Sequence, residues 1–152
     1  MNLPISIKTF LAKCRLTLVC TLAIAFIGCA GKEPKVTLYQ QMGSQQGINQ
    51  LVDQLIIKIG NDNQIFHYFA KANVTHFRKG LVQHFCAVAD GPCRYEGDSM
   101  KQIHTGMNIN EKDFNHLVEL LIEVMNELNY STGVQNQLLK RLAPMRENII
   151  YI

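Results

Sequence analysis

The sequence has 152 residues, of which 47% are hydrophobic and 18% charged, and this is typical of one globular domain and not of a disordered chain. Its formal net charge of +3 depends on Lys8, Lys13 and Arg15, because residues 1–28 contain no acidic residue. Without that segment the net charge is 0, so the composition gives no electrostatic support for nucleic-acid binding.

The amino terminus has the organisation of an export signal. Its basic residues precede an apolar stretch over residues 16–27, which is shorter than the roughly 20 residues of a membrane-spanning helix. Gly28 and Cys29 follow, and the whole segment resembles a bacterial lipoprotein signal. The resemblance implies cleavage after Gly28 and lipidation of Cys29. An uncleaved membrane anchor is the alternative.

These features predict three parts of the chain: a signal peptide over 1–28, a linker over 29–37 and a folded domain over 38–152. The expected location is the periplasmic side of a bacterial cell envelope, with the membrane as a partner through the lipid anchor.

Two cysteines remain for the folded domain. Cleavage removes Cys14 and Cys20, and lipidation modifies Cys29, which leaves Cys86 and Cys93. A pair of cysteines in an oxidising compartment predicts one disulfide. Two ordinary buried thiols are the alternative.

Helical periodicity begins after the linker. A short helix is predicted around residues 36–42, ending at Gly43, and a long one that ends near Gly60. The inward stripe of the long helix is Ile48, Leu51, Val52, Leu55, Ile56 and Ile59.

A second apolar stripe predicts a helix capped by Asn73 or Thr75 that ends at residues 89–92. This stripe consists of Val74, Phe77, Leu81, Phe85 and Val88. Residues 93–107 have glycines at 97 and 106 and no long periodic stretch, so we expect a loop with at most one turn of helix. His104 lies in this loop.

The last two predicted helices span residues 110–128 and roughly 134–151. The inward residues of the first are Phe114, Leu117, Val118, Leu121, Met125 and Leu128, and those of the second are Val134, Leu138, Leu142, Met145 and Ile149. No segment shows the two-residue period of a strand, so the predicted fold class is all-α.

Three passages carry a family resemblance: FRKGLVQHFC at 77–86, DGPCRY at 90–95 and GDSMKQIHTGMNI at 97–109. With Phe114, they make the chain resemble a group 1 truncated haemoglobin from about residue 38 to residue 145. The resemblance implies a two-on-two helical sandwich around haem b, with His104 as the proximal iron ligand. A neutral imidazole suits iron and leaves the opposite axial position for oxygen, nitric oxide or carbon monoxide. Spacing alone would not distinguish His104 from a surface histidine.

The resemblance also implies the walls of the haem site. The matched positions are Phe69, Phe77, Arg78, Leu81, His84, Phe85, Met100, Ile103, Ile109, Phe114 and Leu117. Arg78 is expected to reach a haem propionate, or else to be a solvated surface arginine. His84 follows Phe77 by two helical turns, so it would donate to a ligand or approach the haem edge, or else point to solvent.

The chain departs from the family at the distal pocket, formed by Ile56, Phe77 and Leu81. Many relatives have a tyrosine and a glutamine where Ile56 and Leu81 stand. Bound oxygen carries partial negative charge, so the missing donors should lower oxygen affinity by about 5- to 150-fold. Ser44 and Asp90 replace one glycine in each of two family glycine pairs, and helix packing at those corners is expected to differ.

The function predicted from the resemblance is reversible binding of a diatomic gas, without catalysis, at the cell envelope. An alternative is a haem enzyme that converts nitric oxide to nitrate or turns over peroxide, which would take electrons from an unknown donor. A gas or redox sensor, in which Cys86 and Cys93 exchange between thiol and disulfide, is a third possibility.

Overall fold

The computed structural model describes residues 35–152, and their helices begin and end close to where the sequence predicts. In chain order they are α1 (Leu38–Gln41), α2 (Ser44–Gly60), α3 (Phe66–Phe69), α4 (Val74–Val88), α5 (Met100–His104), α6 (Glu111–Glu127), α7 (Thr132–Leu142) and a 3-10 helix (Ala143–Asn148). Within the described residues, the extended pairing is a single isolated bridge between Ile109 and Ile150. The all-α prediction is confirmed.

Polar side chains fix the starts of α4 and α6. Asn73 accepts a hydrogen bond from the N–H of His76, so it is the cap that α4 uses of the two offered by the sequence. Asn110 caps α6 in the same way, by accepting from the N–H of Asp113. Such caps satisfy backbone donors that have no partner inside the helix.

The core lies around α2, which packs against both α4 and α6. Ile48, Leu51 and Val52 of α2 are completely buried, and the predicted stripe of this helix is buried except for Ile56, which is partly buried. Burial of such side chains stabilises a fold by roughly 1.5 to 3 kcal/mol each. This helix joins α4 to α6, and the amino-terminal part of α6 lines the candidate site.

The stripe predicted for α6 is incomplete. Leu120 and Val124 are buried together with the predicted Leu121 and Met125, whereas Val118 is only partly buried. The buried face is wider than the predicted one because α6 packs on α2 in its middle and lines the candidate site near its amino terminus.

The prediction of one continuous last helix is wrong. The α-helix ends at Leu142, and residues 143–148 form a 3-10 helix with Pro144 in its first turn. Proline has no N–H and its ring clashes with the carbonyl one turn earlier, so an α-helix does not continue through it unchanged. The sequence analysis also missed the single-turn helix α3, which lies where only a turn was expected.

The predicted signal segment 1–28, Cys29 and most of the predicted linker lie outside the described residues. In residues 35–152, no helix combines the length and apolar character needed to cross a membrane.

Candidate functional site

His104 is the last residue of α5, a short helix whose start is fixed by a capping box between Ser99 and Gln102. Its Nδ1 lies 2.6 Å from the backbone oxygen of Met100. A carbonyl oxygen can only accept, so Nδ1 carries the proton and donates it. In the neutral ring, Nε2 then keeps its lone pair, which is the arrangement that metal-binding histidines show.

His104 faces an apolar crevice. The crevice is lined by Ile65, Tyr68, Phe69, His104, Met107, Ile109, Asp113, Phe114, Leu117 and Ile149. Phe69, Ile109, Phe114 and Leu117 were predicted from the sequence to surround the site. As these walls stand they enclose about 80 Å³, less than the roughly 300 to 1,000 Å³ typical of cofactor pockets. A planar group the size of haem fits only when the walls move apart.

The predicted distal residues lie on α2 and α4. Ile56, Phe77 and Leu81 are partly buried and pack against the core, and the rings of Phe69 and Phe77 are 5.2 Å apart. Phe85, predicted at the site, lies in the core and is 4% exposed. None of these side chains carries a hydrogen-bond donor. Ile56, Phe77 and Leu81 are not among the residues that line the crevice, and their place on the distal side of a haem stays a prediction.

Two further residues that were predicted to surround the haem site, Met100 and Ile103, lie on α5. Met100 contributes its backbone oxygen to His104, and Ile103 is 44% exposed although it is a large aliphatic residue. Val74 at the start of α4 is likewise 60% exposed. Neither Ile103 nor Val74 lines the crevice, and single exposed apolar side chains are common on protein surfaces.

His84 lies on α4, with its ring edge-on to that of Tyr95 at a centroid distance of 5.3 Å. Burial lowers the pKa of His84, and the nearby His104 lowers it further. His84 and His104 lie on different elements, α4 and α5. Within residues 35–152, no hydrogen bond to the His84 ring is formed, so both ring nitrogens remain available.

Arg78 of α4 forms an ion pair with Asp53 of α2. Arg78 Nε lies 2.5 Å from Oδ1 and Nη2 lies 2.9 Å from Oδ2. The hydrogen bond from Arg78 lowers the pKa of Asp53. Since both side chains are partly exposed, solvent screens the pair and it contributes little to stability. The contact of Arg78 with a haem propionate stays a prediction, and a propionate would have to share the guanidinium with Asp53.

A disulfide joins Cys86 in α4 to Cys93 in the loop that leads to α5. Cys86 is fully buried, and the N–H of Gly91 donates to its carbonyl oxygen at 2.8 Å. A Cβ on Gly91 would lie 2.6 Å from the Cys86 sulfur, so this position has no room for a side chain. Without the disulfide, residues 89–99 would form the connection between α4 and α5. With it, only residues 94–99 connect the cross-linked part to α5.

A polar cluster at one end of the crevice was not predicted. Asp113 Oδ2 accepts hydrogen bonds from the Tyr68 hydroxyl and from Asn110, and Oδ1 accepts from Gln64, each at 2.8 Å. The bond from Tyr68 lowers the pKa of Asp113. Tyr68 and Asp113 are 45 residues apart, and no local pattern in the sequence pairs them.

The residues present fit a haem by the chemistry of their donors. One neutral imidazole nitrogen is free in an otherwise largely apolar crevice, and this combination suits a protohaem held by a single histidine. Within residues 35–152, no cluster of three or more histidine, cysteine, aspartate or glutamate side chains could hold a bare metal ion. His104 is therefore the residue that would bind iron.

Comparison with known proteins identifies the family to which the chain is similar. The family model described as Bacterial-like globin matches residues 37–151. The group 1 truncated hemoglobin of Tetrahymena thermophila is 28% identical over 117 residues, which are 77% of this chain and 92% of that protein. A protein of the same description from a Nostoc species is 30% identical over 114 residues, 75% of this chain and 97% of that one.

Solved structures confirm the predicted truncated globin fold. The crystal structure of truncated hemoglobin from Tetrahymena pyriformis in its Fe(III) form matches with a TM-score of 0.74 and 24% identity. The match covers 76% of this chain and 99% of that one. A hemoglobin from Chloroflexus aurantiacus matches with a TM-score of 0.65 and 17% identity, over 77% of this chain and 98% of that one.

Proposed function

The chain belongs to the bacterial-like globin family, and from this premise we propose that it binds haem b through His104 and reversibly binds a diatomic gas. The observation that carries the proposal is the hydrogen bond from His104 Nδ1 to the Met100 carbonyl oxygen. This bond fixes the tautomer and orientation of the ring and leaves Nε2 free as an iron ligand. A bound haem would supply the iron that binds the gas on the side opposite His104.

The lack of a hydrogen-bond donor on Ile56 and Leu81 affects the affinity of the proposed site for oxygen more than its affinity for carbon monoxide. Oxygen is stabilised by a hydrogen-bond donor because charge shifts onto it when it binds, whereas carbon monoxide carries little charge. Ile56 and Leu81 offer no donor. The proposed site therefore binds carbon monoxide well and oxygen weakly compared with a site that has a distal tyrosine.

The proposed location is the periplasmic side of the cell envelope, with a lipid on Cys29. The support for this is the sequence alone: the basic start, the short apolar stretch and the cysteine that follows Gly28. Labelling cells with a radioactive or clickable fatty acid, with Cys29→Ser as the control, tests it. A labelled Cys29→Ser chain, or an unlabelled wild type, would contradict the lipoprotein assignment.

The test of haem binding is the absorption spectrum of the purified chain in ferric, ferrous and carbon-monoxide-bound forms. His104→Gly should lose the haem or change its coordination, and imidazole added to the solution should restore a histidine-like spectrum. His76→Ala is the matched control, because His76 is an exposed histidine on α4. If His104→Gly has the spectrum of the wild type, the proximal assignment is wrong.

His84→Leu decides the coordination of the resting ferrous form. An unchanged five-coordinate spectrum in this variant means that His84 only lines the site. If the wild type is six-coordinate and His84→Leu abolishes this, His84 is a distal ligand with which the gas must compete.

The disulfide supports a second candidate function, that of a redox sensor. A dithiol reductant would convert the Cys86–Cys93 bond to two thiols and would itself become a disulfide. The loop released in this way carries Tyr95, which packs against His84. Carbon monoxide rebinding after photolysis should then differ between the wild type and Cys93→Ser. Equal rates would exclude this function.

A further inference from the structure

We propose that residues 149–152, here called the C-terminal strap, hold the loop after His104 in place and thereby control how long a haem remains bound. The proposal rests on the proposed haem binding at His104. It concerns how the backbone of the strap affects the rate of haem release, whereas the proposed function concerns the residue that binds the iron.

The strap runs beside residues 106–109 and is joined to them by backbone hydrogen bonds. The N–H of Tyr151 donates to the carbonyl oxygen of Ile109 at 2.9 Å, and the N–H of Gly106 donates to that of Ile152 at 3.0 Å. Ile109 and Ile150 form an isolated parallel bridge, to which the bond from Tyr151 to Ile109 belongs. The strap therefore fixes the chain two residues and five residues after His104.

The helix that carries His104 has little else to hold it. α5 has five residues, and none of them is buried. The element against which it chiefly packs is the C-terminal 3-10 helix, which leads directly into the strap. Gly106 follows at a φ of +83°, a left-handed conformation that allows the chain to turn away from α5. Such a short exposed element depends on its flanking attachments for its position.

The strap is itself anchored to the rest of the fold. Arg146 in the 3-10 helix forms an ion pair with Glu111 at 2.9 Å and lies over the ring of Phe114 at 5.7 Å. Its carbonyl oxygen accepts from the N–H groups of Ile149 and Ile150, at 3.0 and 3.1 Å. Ile149 also lines the crevice. The strap is in this way attached both to α6 and to the loop that follows His104.

Loss of haem requires His104 to leave the iron, and this is easier when the loop can move. The two strap bonds oppose that movement in the bound state. With the usual net contribution of a backbone hydrogen bond, removing both should accelerate haem release by about 5- to 150-fold.

The experiment compares the haem-loaded full chain with a variant that ends at Ile150. This variant lacks both strap bonds to the loop but keeps Ile149 in the crevice wall. The control is Tyr151→Asn, which removes a ring that is 66% exposed and keeps the backbone N–H. Asparagine also tolerates the positive φ of this position, +56°. Haem transfer to an excess of apomyoglobin gives the release rate, and resonance Raman spectroscopy of the ferrous form gives the iron–histidine stretching frequency.

We expect faster release and a shifted or broadened iron–histidine band in the shortened variant, and wild-type values in Tyr151→Asn. Equal release rates in all three chains would overturn the proposal and leave haem binding by His104 intact. A wild type that binds no haem would contradict the proposed function instead. If the shortened chain does not fold, hydrogen exchange in the haem-loaded wild type decides: unprotected amides at Gly106 and Tyr151 would show that the strap is not formed.

Discussion

Reducing the Cys86–Cys93 disulfide should destabilise the domain by an amount that follows from the length of the loop it closes. The two cysteines are seven residues apart. In the chain-entropy model a loop of this length contributes about 2.5 kcal/mol, because the cross-link restricts the unfolded chain. For a domain of this size, that corresponds to a fall of roughly 10 °C in Tm. Cys86 is completely buried, so replacing it would add a packing defect to this effect.

The clean perturbation is therefore reduction of the wild type, with Cys93→Ser as the control. Urea unfolding of the haem-loaded chain, followed by circular dichroism with and without a phosphine reductant, gives the difference in free energy. Cys93→Ser should unfold at the midpoint of the reduced wild type and should not respond to the reductant. If the oxidised and reduced wild type unfold at the same urea concentration, the loop-closure argument fails for this domain.

Three further predictions concern single residues. Ser44→Gly should raise the free energy of unfolding by about 1 kcal/mol in urea titrations, because Ser44 has a φ of +57° that favours glycine. Asp62 holds the pKa of His116 above its ordinary 6.5, so protonated His116 stabilises the fold below that pH. This contribution, at most about 1 kcal/mol, is lost as the pH rises through the raised pKa, and unfolding of His116→Gln should be less pH-dependent above 6.5. Ile56→Tyr should slow oxygen release by about 5- to 150-fold in stopped-flow measurements, because it introduces a distal donor; an unchanged rate would show that position 56 does not face the bound gas.

The features that could be predicted from the sequence are those that local chemistry determines. The stripe from Ile48 to Ile59 has the helical period, and the structure buries it as one face of α2. Asn73 and Asn110 stand directly before apolar helices, and both act as caps. The all-α class was predictable for the same reason, whereas the truncated globin fold was predicted from the resemblance of the passages around Phe77 and His104 to that family.

What could not be predicted depends on contacts between distant segments. Asp113 could not be paired with Tyr68, nor Ile109 with Tyr151, from any spacing in the sequence. The ion pair between Arg78 and Asp53 could not be predicted for the same reason, since it joins α4 to α2 across 25 residues. The break at Pro144 is different: proline is a local signal for it, and the apolar residues that follow at helical spacing outweighed that signal.

The two sides of the crevice are built on different physical principles, and this limits what the site can do. On the proximal side, the carbonyl oxygen of Met100 can only accept, so the state of the His104 ring is determined by a single backbone bond. On the proposed distal side, Ile56 and Leu81, which do not line the crevice as it stands, would interact with a ligand through shape and dispersion alone. Such a wall distinguishes gases by size and cannot stabilise a charge that develops on one of them. Ile56 and Leu81 would therefore give no support to oxygen activation, the chemistry for which distal charge stabilisation matters most.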